Sequence, residues 1–159
     1  MNCLLTFLIL LISIINTSIQ TNGEIIEEKK FSGVIFPAGF KISELSKTER
    51  WTPSKREIEI AEEDLTLFMI TQGHFNLSNQ GNGCPIIYKN LKNYIRQYAG
   101  YISPKGHKMI YINCFWHKSN IKNWKTNFVL VFDGCSNYWQ IQYDVDDQKF
   151  IGFLVNGRA

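Results

Sequence analysis

In the stretch WTPSKREIEIAEEDLTLFMITQG (51–73), the apolar residues Ile58, Ala61, Leu65 and Phe68 recur at spacings of three and four. That period places them on one face of a helix. Thr52 is suited to cap it, Pro53 to its first position and Gly73 to the residue just past its end. Glu57, Glu59, Glu62, Glu63 and Asp64 then face mostly outward as a solvated surface. Acid–base work by a carboxylate pair among them has no partner in the sequence.

Downstream the period changes. After HFNLSNQGNGCP (74–85), which opens a long Asn- and Gly-rich loop running to residue 90, the chain is strand-like throughout. YIRQYAGYIS (94–103) and HKMIYINCFW (107–116) flank Pro104-Lys105-Gly106, a hairpin turn with glycine where a left-handed residue is wanted. NFVLVFD (127–133) and YWQIQYD (138–144) flank GCSN, and KFIGFLVNG (149–157) follows the turn VDDQ. Gln140 and Gln142 alternate with Trp139, Ile141 and Tyr143, so one face of that strand is wet and the other buried. The prediction is an α+β domain over 51–159, one long helix packed on a four- to five-stranded antiparallel meander. Residues 21–50 read as a lead-in: TNGEIIEEKK is polar and flexible, while FSGVIFPAGF, broken by Pro37 and Gly39, fits an edge strand or a docking segment.

At the N-terminus, MNCLLTFLILLISIINTSIQ has an uncharged apolar run over residues 4–15, too short to span a bilayer comfortably. It reads as a secretory signal peptide over 1–20, cleaved after Gln20, although its start carries no Lys or Arg. The expected localisation is therefore exported, periplasmic or secreted, with no transmembrane anchoring after removal of the leader. A formal charge of +3 without a clustered basic stretch argues against nucleic acid as a partner.

A helix laid across an antiparallel meander resembles the cystatin-like architecture. The runs RQYAGYIS, INCFW, VLVFDGCSNYW and LVNGRA are similar to those of a group of small secreted bacterial proteins of unknown function, over roughly residues 51–159. The resemblance implies no activity. The inhibitory cystatins carry a Gln-x-Val-x-Gly loop, and neither QIQYD nor QYAGY matches it, so protease inhibition does not carry over.

Candidate chemistry is sparse. Cys84, Cys114 and Cys135 remain after leader removal, and export makes a disulfide the default. In a simple meander Cys114 and Cys135 fall at opposite ends of neighbouring strands, so the expected bridge is Cys84–Cys114, with Cys135 a small buried residue in its hairpin. The sharper alternative is a thiol nucleophile, Cys135 with His107 and Asp133, for which the sequence shows no convergence. No metal site is expected: Cys114 and His117 point to opposite faces of a strand, and His74 and His107 lie in a loop and a turn. No phosphate- or dinucleotide-binding glycine motif occurs, so no cofactor is expected. Asn76-Leu77-Ser78 matches a glycosylation sequon, which matters only in a host that glycosylates.

One binding surface is nominated. Ile95, Gln97, Ala99 and Tyr101 share one face of their strand, while Tyr94, Arg96, Tyr98 and Gly100 share the other. Arg96 between Tyr94 and Tyr98 suggests an amphipathic patch, in which Arg96→Ala would leave the thermal midpoint little changed. The competing reading of these residues is long side chains covering a sheet rim. The expectation for function is an exported non-enzymatic binding or interaction module, meeting a protein or small ligand. The alternatives are a small hydrolase or isomerase with a pocket between helix and sheet, and a periplasmic immunity protein.

Overall fold

The computed structural model describes residues 22–158, so the leader expected over 1–20 lies outside the described residues. Its α-helix, α1 (Lys55–Thr71), starts where Ser54 and Glu57 close a capping box: Ser54 Oγ accepts the Glu57 N–H, and Glu57 Oε2 accepts the Ser54 N–H at 2.8 Å. This start is two residues later than Thr52 and Pro53 suggested. Thr52 Oγ1 instead accepts the Ala38 N–H at 2.9 Å, and Pro53 is buried. Gly73 does follow the helix, but for a packing reason, since a Cβ there would sit 2.5 Å from Met69 Sδ.

Four consecutive strands, β4 (Tyr94–Ile102), β5 (Lys108–Trp116), β6 (Tyr138–Asp144) and β7 (Lys149–Val155), form the antiparallel meander that the sequence predicts. Gly106, at φ +86°, supplies the left-handed residue of the β4–β5 turn. The sheet is nevertheless larger than four or five strands. Residues 21–50, expected as a lead-in, add β1 (Glu24–Glu27), β2 (Ser32–Phe36) and, with Trp51, β3 (Arg50–Trp51), giving the order β1-β2-β4-β5-β6-β7 with β3 paired to β4. β2 runs parallel to β4 from Ser32 opposite Ile95 to Phe36 opposite Ala99, and β3 takes over the same edge at Gly100 and Tyr101. β2 is therefore an interior strand and β1 the edge. The unbroken apolar run Val34-Ile35-Phe36, buried on both faces, is what an interior parallel strand needs.

The expected strand at 127–133 does not form; β5 pairs directly with β6. The chain between them lies instead over the sheet face away from α1, held there by side-chain amides. Gln97 Nε2 donates to the Trp124 and Asn127 carbonyls, Gln97 Oε1 accepts the Val129 N–H, and Asn113 Nδ2 donates to the Val129 carbonyl. Asn156 Nδ2 does the same for Val131 and Asp133. These amides satisfy backbone groups that a partner strand would otherwise have to meet.

The result is three layers. Ile58, Ala61, Leu65 and Met69 of α1 pack on Tyr98, Ile112, Trp139 and Ile141 from one face of the sheet. Phe68 is only partly buried, against Phe150 and Phe153 at the β7 side. On the other face a second cluster unites Val34, Phe36, Ala99 and Met109 with Ile42, Leu45, Trp124 and Phe128 from the covering segments. Among the described residues no helix is long and apolar enough to cross a membrane.

Candidate functional site

The residues nominated as an exposed binding patch lie beneath α1. Arg96, Tyr94 and Tyr98 are 1%, 1% and 0% exposed. The expected division of strand faces holds, but their face is the one the helix covers. Glu62, expected to point outward, is buried there as well. Arg96 Nε and Nη2 meet Glu62 Oε1 and Oε2 at 3.1 and 3.2 Å, a fork-to-fork pair. Arg96 Nη1 donates to the Leu91 and Tyr94 carbonyls at 2.8 and 2.5 Å, and Tyr98 Oη donates to Glu62 Oε1 at 2.9 Å. Burial is the largest single influence and would drive the guanidinium toward neutrality, but the Glu62 charge and hydrogen bonds, added to the neighbouring Tyr98 and Cys114, together outweigh it and hold Arg96 above its ordinary pKa. Burial, with the same carboxylate second, pushes the Tyr98 phenol well above its usual value, so it stays a donor. Tyr94 donates separately, to the Ser136 carbonyl at 2.7 Å.

Glu62 and Arg96 of this network form the inner wall of a groove of about 490 Å³ between α1 and the tip of the β1–β2 hairpin. Phe31 and Leu91 join Leu67 and Ile70 of α1 in lining it, with Lys29 and Lys30 on the hairpin side and Glu59 and Glu63 on the helix side. Leu67 and Ile70 are 62% and 59% exposed. Their spacing of three residues puts them one above the other on the helix, one stripe round from the core-facing residues. A guanidinium has five N–H donors and four are used here, so one Nη2 hydrogen of Arg96 has no protein acceptor. Its charge is already matched by Glu62, which suits a neutral acceptor better than an anion.

The bridge is Cys84–Cys135, with Cα atoms 6.2 Å apart, and Cys114 is a buried free thiol. The expected Cys84–Cys114 bridge is therefore incorrect, and the missing strand is the reason. With β6 directly beside β5, Cys114 lies opposite Trp139 and faces α1, while Cys135, just before β6, stands where the loop bearing Cys84 passes. Cys135 is thus no free nucleophile. Its supposed partner His107 lies at the far end of β6, where His107 Nδ1 is 2.8 Å from Asp144 Oδ2. The seven residues of β6 separate the two by roughly 23 Å at about 3.3 Å each.

The His107–Asp144 pair was not foreseen. Asp144 also accepts the backbone N–H groups of Asp146 and Asp147 through Oδ1, and Asp147 lies 3.9 Å from His107 Nδ1. The hydrogen bond to Asp144 raises the His107 pKa. Partial burial would raise Asp144, but that bond and the two N–H donors hold it below the ordinary carboxylate value. His107, Asp144 and Asp147 lie close enough together to hold a metal ion, but Lys149 already neutralises Asp147 at 2.5 Å. Elsewhere His117 is exposed and bonds the Asn93 carbonyl while Cys114 is enclosed, so the two share no site. Comparison with protein-family models, with curated proteins and with solved structures gives no match for this chain.

Proposed function

We propose that the chain is an exported, non-enzymatic binding module that takes its ligand in the groove between the β1–β2 hairpin and α1. The observation that carries this is the pair Leu67 and Ile70, more than half exposed on an ordered helix beside a concave surface. Apolar side chains held at a groove rim on a rigid element are the usual form of a docking site. The apolar run over residues 4–15 and the Cys84–Cys135 bridge support export. The helix followed by the β4–β7 meander supports the cystatin-like comparison, while β1–β3 and the amide-held segment go beyond it.

The groove is tested by placing a photocrosslinking residue at position 67 in the full chain expressed in its own host. Capture of a discrete envelope component from position 67, lost when Ile70→Glu is added and absent from a probe at Thr126, is the expected result. Crosslinking that ignores Ile70→Glu overturns the groove as the binding site. Mass spectrometry of the same material should find the mature N-terminus near Thr21, and recovery of Met1 would overturn export with cleavage.

A further inference from the structure

Helix α1 and the segment over the opposite face of the sheet differ in charge. Within α1 there are two basic residues, Lys55 and Arg56, against four acidic ones outside the buried Arg96–Glu62 pair, Glu57, Glu59, Glu63 and Asp64. On the opposite side, the segment from His117 to Asp133 that covers the sheet contains Lys118, Lys122 and Lys125 against one acidic residue, Asp133. All three lysines are exposed. The inward anchors of this segment are the Trp124 ring, packed against Phe115, and the Phe128 ring, packed against Tyr111. Its backbone is fixed to Gln97, Asn113 and Asn156. What remains pointing to solvent includes Phe132 at 84% exposure and Leu130 at 49%.

We infer that this covering segment docks the protein on an anionic lipid bilayer surface, with the groove beside α1 facing away. Charge and apolar exposure both select that occupant. A polyanion alone would be served by the lysines and gain nothing from Phe132. Phe132 and Leu130 project from tethered backbone on an outer layer. An aromatic ring and an aliphatic side chain on a segment that carries three lysines match the boundary between lipid headgroups and acyl chains. The acidic helix on the far side is repelled by the same surface, which fixes the orientation. This inference is independent of what the groove binds.

Cosedimentation of the mature, disulfide-bonded chain with vesicles tests it. Binding is expected to vesicles of equimolar phosphatidylcholine and phosphatidylglycerol and not to phosphatidylcholine alone, and to weaken as salt rises. Lys118→Gln with Lys122→Gln should weaken it about 25-fold, at about fivefold per lysine near the surface. Phe132→Ser should weaken it by about tenfold through lost insertion. Both variants alter only exposed side chains, and unchanged melting confirms that they fold. Absence of binding to the anionic vesicles overturns the inference, as does equal binding to both vesicle types. Heparin binding that matches vesicle binding and ignores Phe132→Ser also overturns it, by marking a site for polyanions in general.

Discussion

Arg96→Ala should be among the most damaging single substitutions in the chain. The guanidinium it removes makes four hydrogen bonds, two of them to a carboxylate that is itself buried. The variant leaves the buried Glu62 carboxylate with only Tyr98 as a donor, and strands the Leu91 and Tyr94 carbonyls. Removing one partner of a buried ion pair costs about 3–5 kcal/mol. With an unfolding entropy of about 2.1 cal/mol/K per residue over residues 22–158, the melting temperature should fall by about 10–17 °C. Replacing both charges, as in Glu62→Leu with Arg96→Met, removes the desolvation cost together with the attraction and should recover at least half of that loss. Thermal melts of wild type, Glu62→Leu, Arg96→Met and the double variant form a cycle, expected to show a coupling of at least about 2 kcal/mol. An Arg96→Ala variant that melts within about 2 °C of wild type, with no coupling to Glu62, would refute the buried network.

Further outcomes follow from the other pairs. Removing the bridge with Cys84→Ser and Cys135→Ser reopens a loop with a sequence separation of 51, which should cost about 4 kcal/mol, and non-reducing peptide mapping should return the Cys84–Cys135 peptide alone. Cys114, enclosed under α1 with burial pushing its thiol pKa up, should resist iodoacetamide until denaturant is added; rapid labelling of the native chain would contradict its placement. The His107–Asp144 pair should make stability depend on pH in a set direction. His107, raised in the folded chain, contributes fully below its ordinary value of 6.5 and loses that contribution as pH rises through the raised one. Asp144, held low, contributes fully above its ordinary value of 3.8 and loses that contribution as pH falls through the depressed one. The melting difference between wild type and His107→Asn should therefore be largest between those two ordinary values and shrink in alkali; a difference that grows with pH would be inconsistent with the pair.

The parts of the fold that the sequence made legible are those whose side-chain period matches their own local structure. The α1 stripe and the β4–β7 alternation are such cases, because each element buries one face against a neighbour close in sequence. β2 reads from sequence as an edge strand or docking segment and not as an interior strand because its partner β4 is some sixty residues away, across the helix, and β1 escapes because a short polar strand such as EIIE has too few positions to show a period. Glu62 was open to a better inference. It lies four residues after Ile58 and three before Leu65, in the middle of the apolar stripe, so an outward direction contradicted the period that placed its neighbours. A carboxylate in that position calls for a buried cation, and Arg96 is the one the sheet supplies.

The segment from 127 to 133 shows why an apolar run does not by itself make a strand. NFVLVFD has five consecutive apolar residues, four of them aromatic or β-branched, which is enough to suggest a strand, and a paired strand there would have put Cys135 far from Cys84. Two things compete with pairing. The polar positions on the outer face of β4 and β5, Gln97 and Asn113, offer amides at the spacing of a backbone, and Val129 uses both its N–H and its carbonyl on them. Gln97 and Asn113 are also bonded to each other at 3.1 Å, so the two strands present a preformed polar bracket inside an otherwise apolar layer. In sequence, Gln97 shares a strand face with Ile95, Ala99 and Tyr101, with nothing to show that it and Asn113 would be covered. Their burial follows from the segment they hold, and the same tethering leaves Leu130 and Phe132 without a partner in the chain. The polar residues that hold the segment in place of a partner strand are thus the ones that set the exposed apolar side chains on the face opposite α1.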